Sequence, residues 1–322
     1  MRALLAIFAA LCAMVTAPTA QADDWPSKPI TIVVPFPPGG SVDAIARILG
    51  AQLTTQLGQR VVVENRAGGS GSIGTANVAK AAPDGYTFVL VFDTHAVNPS
   101  LIPKMPFDTL KDLTPIMLLG TAPMAIVAHP DAPYKTFADV IAGAKNKPGS
   151  VSYASIGSGS LGHLTMAQLA NMAGTEFTHI PYKGGGPAVQ DTVAGHVPLM
   201  IGSVFVVNPQ VDAKRLLPLA VTSRQRYARW PDVPTVAEQG FPGYEALAWW
   251  GFLAPAGTSR PILTRMHDEL SKALKTSAVA EKLSAQGMEI AAGSPEALQT
   301  FIKNEMNRWS KVVRDNHVKA GE

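Results

Sequence analysis

Between residues 30 and 53 the β-branched run Ile30-Thr31-Ile32-Val33-Val34 breaks at Pro35-Phe36-Pro37-Pro38-Gly39-Gly40. It then passes straight into a helical repeat of Val42, Ile45, Ala46, Leu49 and Leu53. A strand period and a helix period meet across one turn, so this unit is a strand feeding a helix. The turn leaves bare N–H groups at the helix start, beside the Ser41 hydroxyl and the Asp43 carboxylate, with Ser41 the expected N-cap. Such an end can hold an anion without any cationic side chain.

The alternation continues. Residues 60–64 and 86–92 read as strands, and 73–80 as a helix closed by Pro83-Asp84-Gly85. Strand and helix in turn predict an α/β fold, a mostly parallel sheet flanked by helices. A second unit begins around two apolar runs, 116–119 and 124–127, split by Gly120-Thr121-Ala122-Pro123. Its expected helices are 137–145, 161–172 and 187–194, with Pro187 at the first helical position, and its strands 151–154, 178–180, 199–201 and 216–221. The aromatic-rich run 246–253 leads back to the first unit, and helices at 261–274 and 295–313 close the chain. The expected plan is two domains, one from 23–123 with 249–322 and one from 124–248, with a ligand cleft between them at the carboxyl ends of parallel strands.

Composition narrows the function. The 322 residues are enough for two cores; 47% are apolar, 16% charged and the net charge is +3, which speaks against disorder and against a nucleic-acid partner. Met1-Arg2 followed by the apolar stretch 3–15 and Ala20-Gln21-Ala22 reads as an export signal over residues 1–22, so the expected location is a bacterial periplasm. Cys12 is the single cysteine and lies inside that signal. Leu11 before it is a poor fit to a lipoprotein anchor, and the mature chain needs no disulfide and has no thiolate metal ligand.

Three glycine turns follow strands and open helices: Pro38-Gly39-Gly40-Ser41, Ser155-Ile156-Gly157-Ser158-Gly159-Ser160, and Tyr182-Lys183-Gly184-Gly185-Gly186. Any one of them is explained by tight turning alone. At corresponding points of two domains they point to a shared anion site. A rival pattern, Gly69-Ser70-Gly71-Ser72-Ile73-Gly74 with Asp93 at the next strand end, fits a dinucleotide loop and keeps an exported enzyme as the alternative. No serine stands in a G-x-S-x-G elbow, and the seven histidines show no metal-ligand spacing, so neither a catalytic residue nor a metal or other cofactor is expected. His163, in the first helical turn after the second glycine turn, either donates to a ligand or caps the turn. His95, next to Thr94 after a strand end, faces the same choice. His129, His179, His196, His267 and His317 read as surface or packing residues. Asp43 either favours the helix dipole or orients a bridging water. Phe36 and Tyr182 are the best candidates for a ligand wall, and Lys183 either steers an anion or is a solvated lysine.

Several stretches in order resemble the tripartite tricarboxylate transporter receptors, the Bug or TctC proteins. They are Trp25-Pro26-Ser27-Lys28-Pro29-Ile30, residues 34–43, Val63-Glu64-Asn65-Arg66-Ala67-Gly68, Pro83-Asp84-Gly85-Tyr86-Thr87, residues 179–185, Asp232-Val233-Pro234-Thr235 and Trp249-Trp250-Gly251. The resemblance implies a two-domain periplasmic binding protein of type II topology that closes on a small carboxylate, aliphatic or aromatic, for uptake through the transporter's membrane components. It places the carboxylate at Gly39, Gly40, Ser41 and Asp43, with the other domain contributing turns that match 155–163 and 182–186. Residues 201–205, including Ser203 and Phe205, lie where many relatives are more polar, on a wall that bears on ligand choice. Residues 213–217 are also atypical.

Overall fold

The computed structural model describes residues 25–319. The expected export signal, with Cys12, lies outside the described residues. Strand β1 (Ile30–Val34) pairs in parallel with β2 (Val61–Asn65) and β3 (Thr87–Val91), and helices α1 (Ser41–Leu57), α2 (Ser72–Ala79) and α3 (Thr94–Leu101) follow these strands. Period-two alternation buries both faces of β1. Ile30, Ile32 and Val34 join Ile45, Leu49 and Leu53 of α1, while Val33 joins Val89, Val91 and the side chains Leu298 and Ile302 near the C-terminus. Each fully buried Ile or Leu contributes about 1.5–3 kcal/mol, which fixes the helix against the strand and the turn between them.

Strand β4 (Leu113–Ala128) is 16 residues long. After it come α4 (Phe137–Asn146), β5 (Ser152–Ser155), α5 (Leu161–Ala173), β6 (Thr178–Pro181), α6 (Gly185–Val193), β7 (Leu199–Ser203), α7 (Val204–Asp212) and β8 (Leu217–Val221). The chain returns through β9 (Leu247–Pro255) and closes with α8 (Arg260–Lys275), α9 (Ser277–Ala285), β10 (Glu289–Ile290) and α10 (Pro295–Asp315). The order is β2-β1-β3-β9-β4-β7-β5-β6, with β8 and β10 also on β4. The outer strands are parallel, whereas β4 and β9 pair antiparallel with their neighbours.

The two runs expected on either side of Gly120–Pro123 are one strand. Through Pro123 it pairs with β9; from Met124 it pairs with β7 and β8. Proline has no N–H to donate and sits where the strand changes partners. Gly120 is needed for another reason: a Cβ there would lie 2.3 Å from the Glu289 carbonyl of β10. Two helix starts also differ from expectation. Gly40 is the N-cap of α1 and Ser41 its first residue, and α6 begins at Gly185, so Pro187 is its third residue. Helices α3, α7 and α9 lacked a separate signal in the sequence.

Candidate functional site

The N-termini of α1, α6 and α7 converge where the two lobes meet. They surround a cavity of about 20 Å³ lined by Phe36, Gly40, Ser41, Gly185 and Ser203 together with Val42, Phe92, Met124, Ile156 and Val206. That is room for about one water. The opposed turns touch. A Cβ on Gly40 would lie 3.7 Å from the Gly185 nitrogen, one on Gly186 3.0 Å from the Pro38 carbonyl, and one on Gly184 (φ 142°) 3.0 Å from Pro37. Glycine at 184 and 186 is what lets these backbones approach, whereas a Cβ at Gly40 would make only ordinary contact.

The first turn keeps its amides partly open. The Gly39 N–H is taken by the Asp43 carboxylate at 3.1 Å, which Arg47 and Asn65 also contact. The Gly40 N–H makes no hydrogen bond among the described residues, and the first N–H groups of α1 have no intrahelical acceptor. Burial opposes the Asp43 charge, yet Arg47, Gly39 and Asn65 together hold its carboxyl below the usual range. Asp43 therefore serves the turn itself. Ser41 Oγ accepts from Trp250 Nε1 at 3.2 Å, which ties the helix start to β9 and leaves the hydroxyl hydrogen free to turn to the cavity.

The second turn is spent on the protein. Gly157 N–H goes to Ser155 Oγ, Gly159 N–H to His163 Nδ1, Ser160 N–H to the Gly157 carbonyl, and Leu161 N–H to Asp93. Ser160 caps α5 by accepting from His163 N–H. His163 thus has the turn-capping role that the sequence left open. His179, expected to be plain packing, stacks on the His163 ring with centroids 3.9 Å apart, and its Nε2 lies 2.6 Å from Ser155 Oγ. Burial, with a smaller push from His163, carries the His179 pKa down to about 3, so the ring is neutral. Ser155 is fully buried, so this serine–histidine pair offers no oxygen to a substrate.

The cavity's third helix end is α7, which starts at Val204 after Ser203 at the N-cap, without a glycine turn. Two chambers flank the cavity. One, about 660 Å³, is lined by Phe36, Ser158, Tyr182 and Lys183 among others; the second, about 370 Å³, by Pro38, Gly39, Gly40, Ser41 and Phe205. Thr94 and His95 line neither. His95 is buried, stacks on Phe107 and has its pKa pushed down to about 4 by burial. Gly159 lies under Leu101, which reaches across from α3. Val42, Phe92, Met124, Ile156 and Val206 were missed as site residues because apolar side chains in a core pattern carry no signal for a cavity.

The dinucleotide reading has no geometry behind it. In the 69–74 loop, Gly71 and Ile73 turn their N–H groups to the Gly68 carbonyl instead of presenting them to a pyrophosphate. Asp93, which would grip a ribose, is 1% exposed.

Residues 45–318 match the model of the tripartite tricarboxylate transporter family receptor. The chain belongs to that family. It is 39% identical over 319 residues to Protein BugT of Bordetella pertussis, covering 98% of this chain and 97% of the relative. Among solved structures it is similar to R. palustris Rpa4515 with adipate (35% identity, TM-score 0.89, 92% of this chain and 100% of the other). It is also similar to MatC of Rhodopseudomonas palustris with bound malate (31% identity, TM-score 0.85, 90% and 100%). The fold is that of the periplasmic binding proteins of this family, which are solute receptors.

Proposed function

We propose that this receptor is exported to the periplasm, captures a small carboxylate between its lobes and presents it to the membrane components of a tripartite transporter. The lobes are assigned to 23–123 with 249–322 and to 124–248. The observation that carries the reading is the opposition of the α1 and α6 N-termini, Gly40 facing Gly185, around a cavity with no cationic side chain. Each charge-assisted hydrogen bond from an amide to a carboxylate contributes about 1.5–3 kcal/mol, so a few of them account for micromolar binding, about −8 kcal/mol. Family membership and the adipate and malate bound by its neighbours support the same ligand class.

The test is isothermal calorimetry on protein unfolded and refolded to strip any carried solute, against mono- and dicarboxylates of graded length. Saturable binding of at least one acid, lost in Gly40→Val, is expected. No heat from any acid in a broad aliphatic and aromatic panel refutes the reading.

A further inference from the structure

The larger chamber beside the cavity has a composition that discriminates between acids. Its volume, about 660 Å³, lies within the range of small-molecule sites, and Phe36 and Ile156 line both it and the central cavity. An acid whose carboxylate sits against Gly40 and Ser41 sends the rest of its body past these two side chains. Beyond them the walls are Leu101, Ile102, Pro181 and Tyr182. Three polar side chains there are already engaged. Ser70 Oγ donates to the Ser158 carbonyl at 2.9 Å, Asn98 Nδ2 to the Ser70 carbonyl at 3.0 Å, and the Tyr182 hydroxyl to Asp191 at 2.7 Å. The 69–74 loop, which in sequence fits a dinucleotide pattern, gives Gly69, Ser70 and Gly71 to the chamber wall, with its Gly71 N–H turned inward to Gly68. A Cβ on Gly71 would stand 3.2 Å from the Phe36 ring, so its glycine keeps that wall open. Lys183, on the chamber lining, is exposed and has no ion pair among the described residues.

We infer that this receptor selects acids whose body is apolar, an unsubstituted alkyl chain or an aromatic ring, over hydroxy and amino acids of equal length, and that Lys183 on the chamber lining favours a second carboxylate there. The inference rests on the carboxylate reading above. A hydroxyl carried against Phe36, Leu101, Ile102 and Ile156 gives up its water to an apolar wall, which weakens binding by about 10- to 100-fold.

The experiment is calorimetry on the refolded mature protein with adipate, 3-hydroxyadipate, terephthalate and hexanoate. Adipate and terephthalate are expected to bind at least about 10-fold tighter than 3-hydroxyadipate. Ile156→Thr keeps the β-branch and places a hydroxyl at the junction, and the adipate preference should fall to roughly threefold or less. Lys183→Met should weaken adipate by roughly threefold, as befits an exposed charge, and leave hexanoate unchanged. Circular dichroism of both variants guards against misfolding. Equal or tighter binding of 3-hydroxyadipate to the wild-type protein, or an adipate preference untouched by Ile156→Thr, overturns the inference while leaving a carboxylate receptor in place. Silence toward every acid in this series and in the broad panel above overturns the carboxylate reading itself.

Discussion

Asp93 stands at the end of β3, 1% exposed, with one oxygen accepting from Leu161 N–H of α5 at 3.4 Å and the other without a hydrogen-bond partner among the described residues. Burial is the main cause that lifts its pKa from 3.8 to about 8, and Glu305 of α10 adds to the rise. The folded protein therefore carries this carboxyl protonated at neutral pH, while the unfolded chain ionises it. A raised carboxyl stabilises fully below 3.8 and loses that contribution as pH climbs to about 8. At about 1.4 kcal/mol for each pH unit, the loss across the window reaches about 5 kcal/mol, and about 3–4 kcal/mol of it falls between about pH 5 and pH 8. Asp93→Asn keeps the acceptor for Leu161 and removes the titration. The variant should gain on the wild type as pH rises, its melting temperature pulling ahead by roughly 5–10 °C more at pH 8 than at pH 5. Differential scanning fluorimetry in buffers matched for ionic strength reads this directly. A gap in melting temperature that stays constant from pH 5 to 8 refutes the argument, because it means that Asp93 is ionised in the native protein or equally buried in the unfolded one.

Three further outcomes follow from the geometry. Gly40 has an extended backbone (φ −87°, ψ 174°) that any residue adopts, and its Cβ direction meets only the Gly185 nitrogen, so Gly40→Val should leave the melting temperature within a few degrees and raise Kd about 100-fold by calorimetry. Ser160→Ala removes the cap of α5 and should cost about 1 kcal/mol in denaturant unfolding, with Kd unchanged because the second turn's amides serve the protein. Gly120→Ala puts a methyl 2.3 Å from the Glu289 carbonyl and should destabilise by about 1–3 kcal/mol or more, detached β10 being visible as faster amide exchange at residues 289–292.

The βα units were legible because period and punctuation agree within a few residues. Residues 30–53 give both β1 and α1, and the first and third glycine turns do open helices at the cleft. What the sequence does not carry is which amides remain unspent. The second turn has the same glycine signature, yet its Leu161 N–H is consumed by Asp93, 68 residues earlier, and its Gly159 N–H by a histidine ring one helical turn on. The α7 terminus stayed hidden for the opposite reason: β7 ends at Ser203 and the helix starts at Val204, with no loop to mark the change. Gly120 and Pro123 read as a break because their causes, the passing backbone of β10 and the exchange of strand partners, lie in other parts of the chain.

The convergence of α1, α6 and α7 also explains how a solute would drive closure. Each helix N-terminus carries roughly half a positive charge. Two such ends about 5 Å apart at an effective dielectric near 20 repel by about 1 kcal/mol, so three brought together oppose closure by about 2–3 kcal/mol. A single carboxylate about 4 Å from each end attracts each by about 2 kcal/mol, which outweighs that repulsion. Helix ends of one sign oppose the contact that Gly40 and Gly185 make, and an anion between them would reverse the sign. Differential interaction with the two states is what couples binding to a conformational change. Here backbone dipoles supply it, with Asp43 in the first turn of α1 held ionised by Arg47, Gly39 and Asn65. A cationic side chain in the cavity would bind the solute in the open and closed forms alike and would weaken this coupling, which is why a receptor that must signal its occupancy gains from amides at opposed helix ends.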